Sequence, residues 1–347
     1  MLLLTRLLSS RSRLAPLCLG LALGACQPQR QPAETATNPP VGHYEGSISP
    51  AGQPEVRAAL DIRHPSPGHY EAELTVLTLE TLSFVADTIV FKNNELRLTR
   101  PGQAGQTLSL TLDGDFWRGT TALDSLKAPT LLVKRGVPTP STYRVEEVPQ
   151  ANGSAWLFAP ADIGTPGAAL ALLPDAETAR TAALWADALA REGLIVLLLP
   201  ATDSASAPAE APRLAAALRL LRGTPGADTA NVGAWAVGPR ATALVQVLSG
   251  PNNLRTTFFI AQNAELDPAG RASFRELRNR KIPLLGLYGG TGAAQRAAAL
   301  RNALGGWRGA NIRAYRAAGA NLLVPGSLSP SFGPGLPNEV VEWLRGK

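Results

Sequence analysis

Asn231-Val232-Gly233-Ala234-Trp235-Ala236-Val237-Gly238-Pro239-Arg240-Ala241-Thr242-Ala243-Leu244 passes from an apolar strand through a tight turn into a helix. The strand is nearly continuous in apolar residues, as a strand buried on both faces must be. Working outward, the same alternation repeats on both sides. Upstream lie a hairpin (Tyr143 to Val148, Ser154 to Phe158), the strand Ala168 to Leu173, the helix Thr178 to Arg191, the strand Leu194 to Leu199 and the helix Glu210 to Arg222. Downstream, strands at Thr257 to Ala261, Ile282 to Tyr288 and Asn311 to Arg316 alternate with helices at Arg271 to Arg280, Gln295 to Leu304 and Asn338 to Arg345. Alternating β and α with apolar strands predicts a doubly wound, mostly parallel sheet over residues 142–347. Only about twenty residues separate the strands at 257–261 and 282–288, which leaves no room for a lid domain.

Several landmarks carry a resemblance. The segment Leu184 to Leu197 ends a helix at a glycine and begins a strand at once, and Trp235 precedes the turn. Pro283-Leu284-Leu285-Gly286-Leu287-Tyr288-Gly289 and Tyr315-Arg316-Ala317-Ala318-Gly319 are similar to the strands that lead to an acid and to a histidine. Together these resemble the α/β-hydrolases, in which G-x-S-x-G lifts a nucleophile to the top of the sheet. Here the five positions read Ala236-Val237-Gly238-Pro239-Arg240, so the nucleophile position is Gly238. The resemblance places the acid at Gly292 and the base at Ala320. It places the oxyanion segment at Pro174-Asp175-Ala176-Glu177. Pro239 has no N–H to donate to an oxyanion, and Asp175 brings a carboxylate where donors are needed. No histidine follows His69. The resemblance therefore implies the fold without its catalytic machinery.

Other sites weigh less. Gly290-Thr291-Gly292 follows a strand as a dinucleotide loop does, but Gln295 stands at the sixth position and the next strand closes on Arg316 rather than an acid. His43, His64 and His69 lack acidic or thiol partners at ligand spacing and read as loop histidines. Asp175, Glu177, Asp203 and Ser204 lie at C-terminal ends of predicted strands, where a relocated site would form. Loop residues and helix caps are the simpler account of them. No cofactor or metal is expected.

From residue 41 to 136 the pattern changes to short strands at roughly 8–12-residue spacing, which predicts an all-β sandwich or small barrel. Alternation in Leu108-Ser109-Leu110-Thr111-Leu112 buries one face. Tyr44-Glu45-Gly46 at the start and Leu131-Leu132-Val133-Lys134-Arg135 at the end resemble the β-domain attached to certain secreted α/β-hydrolases of Bacteroidetes-type bacteria. Gly136 to Ser141 (GVPTPS) is a Pro-containing junction.

The first 25 residues read as a lipoprotein signal peptide. Arg6, Arg11 and Arg13 precede the short apolar run Leu14 to Leu23, and Leu23-Gly24-Ala25-Cys26 resembles a lipobox. Cys26 would then carry the acyl chains, and Cys18 would be discarded, so no disulfide is expected. Residues 26–40 are polar and Pro-rich, a flexible tether. Losing three arginines leaves 30 basic residues against 27 acidic, down from a formal net charge of +6. With no basic cluster and no interleaved aromatics, a nucleic-acid partner is not expected.

These observations predict an envelope lipoprotein, anchored by Cys26, with a non-catalytic α/β-hydrolase-like domain that binds or scaffolds. The glutamine after Cys26 favours the outer membrane. Two other readings stand beside it: an active serine hydrolase with relocated residues, and a β-domain that carries an apolar ligand. The small-molecule or envelope-protein partner has no sequence signature.

Overall fold

The computed structural model describes residues 38–346, apart from 87–88, 124–125, 151–152, 203–204 and 251–253. Cys26, Asp203 and Ser204 lie outside the described residues.

The N-terminal part is one antiparallel sheet of nine strands: β1 (Gly42–Ile48), β2 (Val56–Ser66), β3 (His69–Thr75), β4 (Phe84–Ala86), β5 (Ile89–Lys92), β6 (Glu95–Arg100), β7 (Gln103–Asp113), β8 (Phe116–Leu123) and β9 (Leu126–Gly136). Their order is β4-β3-β2-β1-β9-β8-β7-β6-β5. The sheet curls until β3 and β4 lie against β5 and β6. Of the two expected forms, sandwich and barrel, the fold is thus the near-barrel. Inward side chains fill it. Tyr44, Leu60, Ile62, Leu74, Leu98, Leu108, Leu110, Trp117 and Leu132 are all buried in one cluster. Period-2 alternation explains this, since a strand with one buried face places every second residue inside. The apolar stretch 83–91 suits a single strand, and Gly119 weakens the strand pattern around Trp117. In the structure the first is two strands, β4 and β5, and β8 pairs along its length with β7 and β9.

The main sheet of the C-terminal part holds eight strands: β10 (Tyr143–Gln150), β11 (Gly153–Pro160), β12 (Gly167–Leu173), β13 (Ile195–Leu198), β14 (Ala227–Val237), β15 (Phe259–Gln262), β16 (Leu284–Gly289) and β17 (Ala310–Tyr315). Six helices accompany them: α1 (Ala179–Arg191), α2 (Ala207–Gly223), α3 (Gly238–Ser249), α4 (Pro268–Asn279), α5 (Ala293–Leu304) and α6 (Asn338–Arg345). The strand order is β10-β11-β13-β12-β14-β15-β16-β17. β11 runs antiparallel to both its neighbours, β10 and β13, and all the other neighbouring pairs are parallel. Two apolar clusters cover its two faces, one with Leu214, Leu218, Leu244 and Phe274, the other with Trp185, Leu189, Val340 and Leu344. This is an α/β-hydrolase-like sheet.

The two parts form one compact unit. Arg100 at the end of β6 is fully buried and donates from Nε to Asp187 of α1 at 2.6 Å, and from NH1 to Thr81 O and Gln106 Oε1. The Tyr143 hydroxyl bonds Asp187 and accepts from Val85 N–H at 3.0 Å. Burial raises the Asp187 pKa against the opposing charges of Arg100 and Arg191. The junction is held as well. Thr139 donates through N–H and hydroxyl to the two oxygens of Asp61, both at 2.8 Å, and its carbonyl accepts from Arg63 Nε.

Candidate functional site

β14 runs into α3 through Gly238, whose φ of +55° is left-handed. The strand thus passes into the helix through one sharp turn, at the position expected from the sequence to correspond to a nucleophile. Pro239 opens the helix, where a missing N–H does not disrupt it. Gly238 itself is buried. A Cβ built there would lie 2.4 Å from Oδ2 of Asp175. The carboxylate thus occupies the space that a nucleophilic side chain would need.

Asp175 is held in that place by its other oxygen. Oδ1 accepts from Thr178 N–H at 2.9 Å and from its hydroxyl at 2.7 Å, just ahead of α1. Asp175 also bridges Thr202 beyond the end of β13. The N-cap of α1 is Thr178 rather than Asp175, so Asp175 acts as a loop residue that fastens the turn ahead of the helix. Its carboxylate faces the turn at Gly238.

Arg240, at the motif's last position, is 1% exposed. Its guanidinium spans the C-terminal edge of the sheet. NH1 donates to Pro174 O at 2.8 Å and Pro200 O at 3.0 Å, and NH2 to Glu210 Oε2 of α2 at 2.9 Å. Glu210 is fully buried and also meets Arg213. Burial pulls the Arg240 pKa below its ordinary value despite the opposing hydrogen bond and charge of Glu210. The side chain ties β12, β13, α2 and α3 together across the top of the elbow.

The loop expected from the sequence to hold the acid position approaches Ala320, the expected base position. Gly290 takes a φ of +75° after β16, and a Cβ there would lie 3.2 Å from Ala320 N. Gly292, at +70°, is the N-cap of α5. The carbonyl of Ala320 accepts from Gln262 Nε2 at 2.8 Å and Asn263 Nδ2 at 2.6 Å. Gln262 in turn accepts from Trp235 Nε1, and Asn263 accepts from Gly289 N–H. Gln262 pairs in register with Val237, the residue before the elbow. So the structure brings Gly238 and Asp175 into contact, and the Gly290–Gly292 loop against Ala320. At these positions the space is taken by the Asp175 carboxylate and by backbone held by Gln262 and Asn263.

Glu210, Gln262 and Asn263 escaped the sequence reading. Their partners come from distant strands, and no spacing rule links Glu210 to Arg240. The one available signal was Arg240 itself, since a helix side chain packed over a sheet edge needs an acid. Glu177 is exposed and lines a shallow cleft of about 410 Å³ with Ala320 and Asn321.

The histidines sit elsewhere. His43 Nδ1 is 2.9 Å from Asp61 and Nε2 3.3 Å from Glu45. Partial burial would lower its pKa, but the hydrogen bonds and charges of the two carboxylates outweigh this and raise it. His64 stacks on Tyr70, with ring centroids 4.3 Å apart. Among the described residues no group of three or more His, Cys, Asp or Glu is placed to hold a metal ion.

No protein-family model matches the chain, and no curated protein matches it in sequence. Solved structures do resemble it. Thermogutta terrifontis esterase 2, phosphoramylated by tabun, is 12% identical, with a TM-score of 0.41 over 60% of this chain and 94% of the esterase. A Klebsiella pneumoniae protein bearing the name dienelactone hydrolase is 13% identical, with a TM-score of 0.44 over 60% of this chain and all of its own.

Proposed function

We propose that this chain is a non-catalytic α/β-hydrolase-like protein of the cell envelope, anchored through acylated Cys26 and serving to bind or scaffold. The observation that carries the reading is the Asp175 carboxylate, lying where a nucleophile's Cβ would be on a buried Gly238. Pro239 removes one oxyanion donor, and no histidine stands after residue 69. A triad-less hydrolase can retain about 10³–10⁴-fold catalysis from its oxyanion hole and binding. Here that remnant is absent too, because the facing group is an anion. Purified protein should not turn over activated esters above background, nor react with fluorophosphonate probes, which need an activated serine. A labelled serine between Thr142 and Lys347, with labelling lost on its mutation, would overturn the reading in favour of a hydrolase with relocated residues.

The anchor has its own test. The wild-type chain should partition with detergent and carry lipid on Cys26, two or more chains being enough for stable attachment. Cys26→Ser should give a form without lipid. Recovery of wild-type protein in the aqueous phase, unmodified, would remove the anchor and the outer-membrane placement with it.

A further inference from the structure

The filled barrel interior turns attention to the outer face of the β-domain, where the strand register builds a trough. One cross-strand row reads Thr75, Ala59, Glu45, Val133, Phe116, and the next reads Arg57, Ser47, Leu131, Arg118. Side chains in a row are direct neighbours on one face of a sheet. Thr75 and Ala59 in the first row and Ser47 in the second are short and lie to one side of Glu45, so the surface dips between Leu77 and the β9 side chains. Val133, Leu131 and Phe116 wall it on one side and Leu77 on the other, enclosing about 490 Å³. Leu77 is 80% exposed, and Phe116 and Leu131 are about 40% exposed. Apolar side chains gathered around one depression are a binding feature rather than scattered surface hydrophobes.

Charge marks the ends of the trough. Arg57 lines it at one end and Arg135 at the other. Among the described residues neither guanidinium has an acidic partner. The carboxylate that faces them, Glu45, is engaged by His43, whose raised pKa favours the cation. An apolar channel with an uncommitted guanidinium at each end is complementary to a chain molecule that carries one negative head. We propose that this trough binds a single-chain anionic amphiphile of the fatty-acid class, with the chain against Leu131, Val133 and Phe116 and the head on Arg57 or Arg135. The proposal gives the binding role a ligand. It stands on a different domain from Gly238 and needs no lipid on Cys26.

The test uses the full chain carrying Cys26→Ser, so that no covalent acyl group competes. Laurate is titrated by calorimetry, with dodecanol as the uncharged comparison. One-to-one saturable binding of laurate is expected. Leu131→Asp, which charges the wall, should weaken it roughly tenfold or more. Ala59→Phe, which fills the floor without adding charge, should do the same. Arg57→Gln with Arg135→Gln should weaken laurate roughly two- to fivefold and leave dodecanol unchanged. All these substitutions lie on an outward face, and circular dichroism checks that each variant is folded. Absence of saturable binding, or binding indifferent to both Leu131→Asp and Ala59→Phe, would overturn the proposal. Association only with phosphatidylcholine–phosphatidylglycerol vesicles and never with monomeric laurate would overturn it as well. Neither result touches the non-catalytic reading, which the fluorophosphonate experiment decides alone.

Discussion

Adding a methyl group at position 238 isolates what Asp175 does there. Gly238→Ala forces a Cβ into left-handed backbone, at about 1–2 kcal/mol, and drives it into Oδ2 of Asp175. Moving that carboxylate also weakens its bonds to Thr178, worth about 1 kcal/mol. The substitution should therefore destabilise by roughly 2–3 kcal/mol, falling to about 1–2 in an Asp175→Ala background. Denaturant midpoints of the four chains give the coupling, and strict additivity would show that the two groups do not compete for space. Arg240→Met leaves buried Glu210 with only the part-exposed Arg213 as a partner, with an expected loss of about 2–4 kcal/mol, most of it recovered by pairing it with Glu210→Met. His43 sets a pH dependence. Its native pKa lies above the unfolded 6.5, so its contribution is fully present below pH 6.5 and lost as pH rises through the native value. The urea midpoint should fall over that window in the wild type, and His43→Gln should remove that part of the fall. At this scale the sequence exposes Gly238 and Pro239 through the motif. It hides Glu210, Gln262 and Asn263, because a tertiary partner leaves no trace in local spacing.

Among the elements, β14 and α3 were legible because the apolar period changes sharply at Gly238. β8 was not, although Trp117 and Thr120-Thr121 favour a strand, because Gly119 interrupts it. The structure gives that glycine a reason: a Cβ there would lie 2.0 Å from Ser109 O of the neighbouring strand. Close approach of two backbones, which strengthens the wall, reads in sequence as a break. The junction is the converse case. Gly136 to Ser141 has the Pro-containing composition of a linker, yet Asp61 and Arg63 bind its backbone at Thr139. Asp61→Ala removes both bonds to Thr139, and limited thermolysin digestion should then nick the chain near Val137, where the wild type resists. Equal cleavage of both forms would mean that the flanking strands alone hold the junction.

For the whole molecule, the buried contacts of Arg100 and Tyr143 with Asp187 predict that the near-barrel and the α/β sheet unfold together. Trp117 reports on the barrel core and Trp185 with Trp235 on the other part. Fluorescence of the wild type and of Trp117→Phe should give coincident urea transitions, and two separate midpoints would contradict a shared unit. Arg100→Met should lower that midpoint, since it leaves Asp187 buried opposite Tyr143 without its guanidinium. The same burial bears on how such a chain can be inherited. A β-domain of this kind is not a portable cassette: grafted onto another partner domain, Arg100 would arrive as a cation facing no carboxylate. In any lineage that keeps both halves, a change at Arg100 is tolerable only when position 187 changes with it. The two domains are thus bound to descend as a pair, and an exchange of one for a homologue should fail unless residues 100, 143 and 187 travel together.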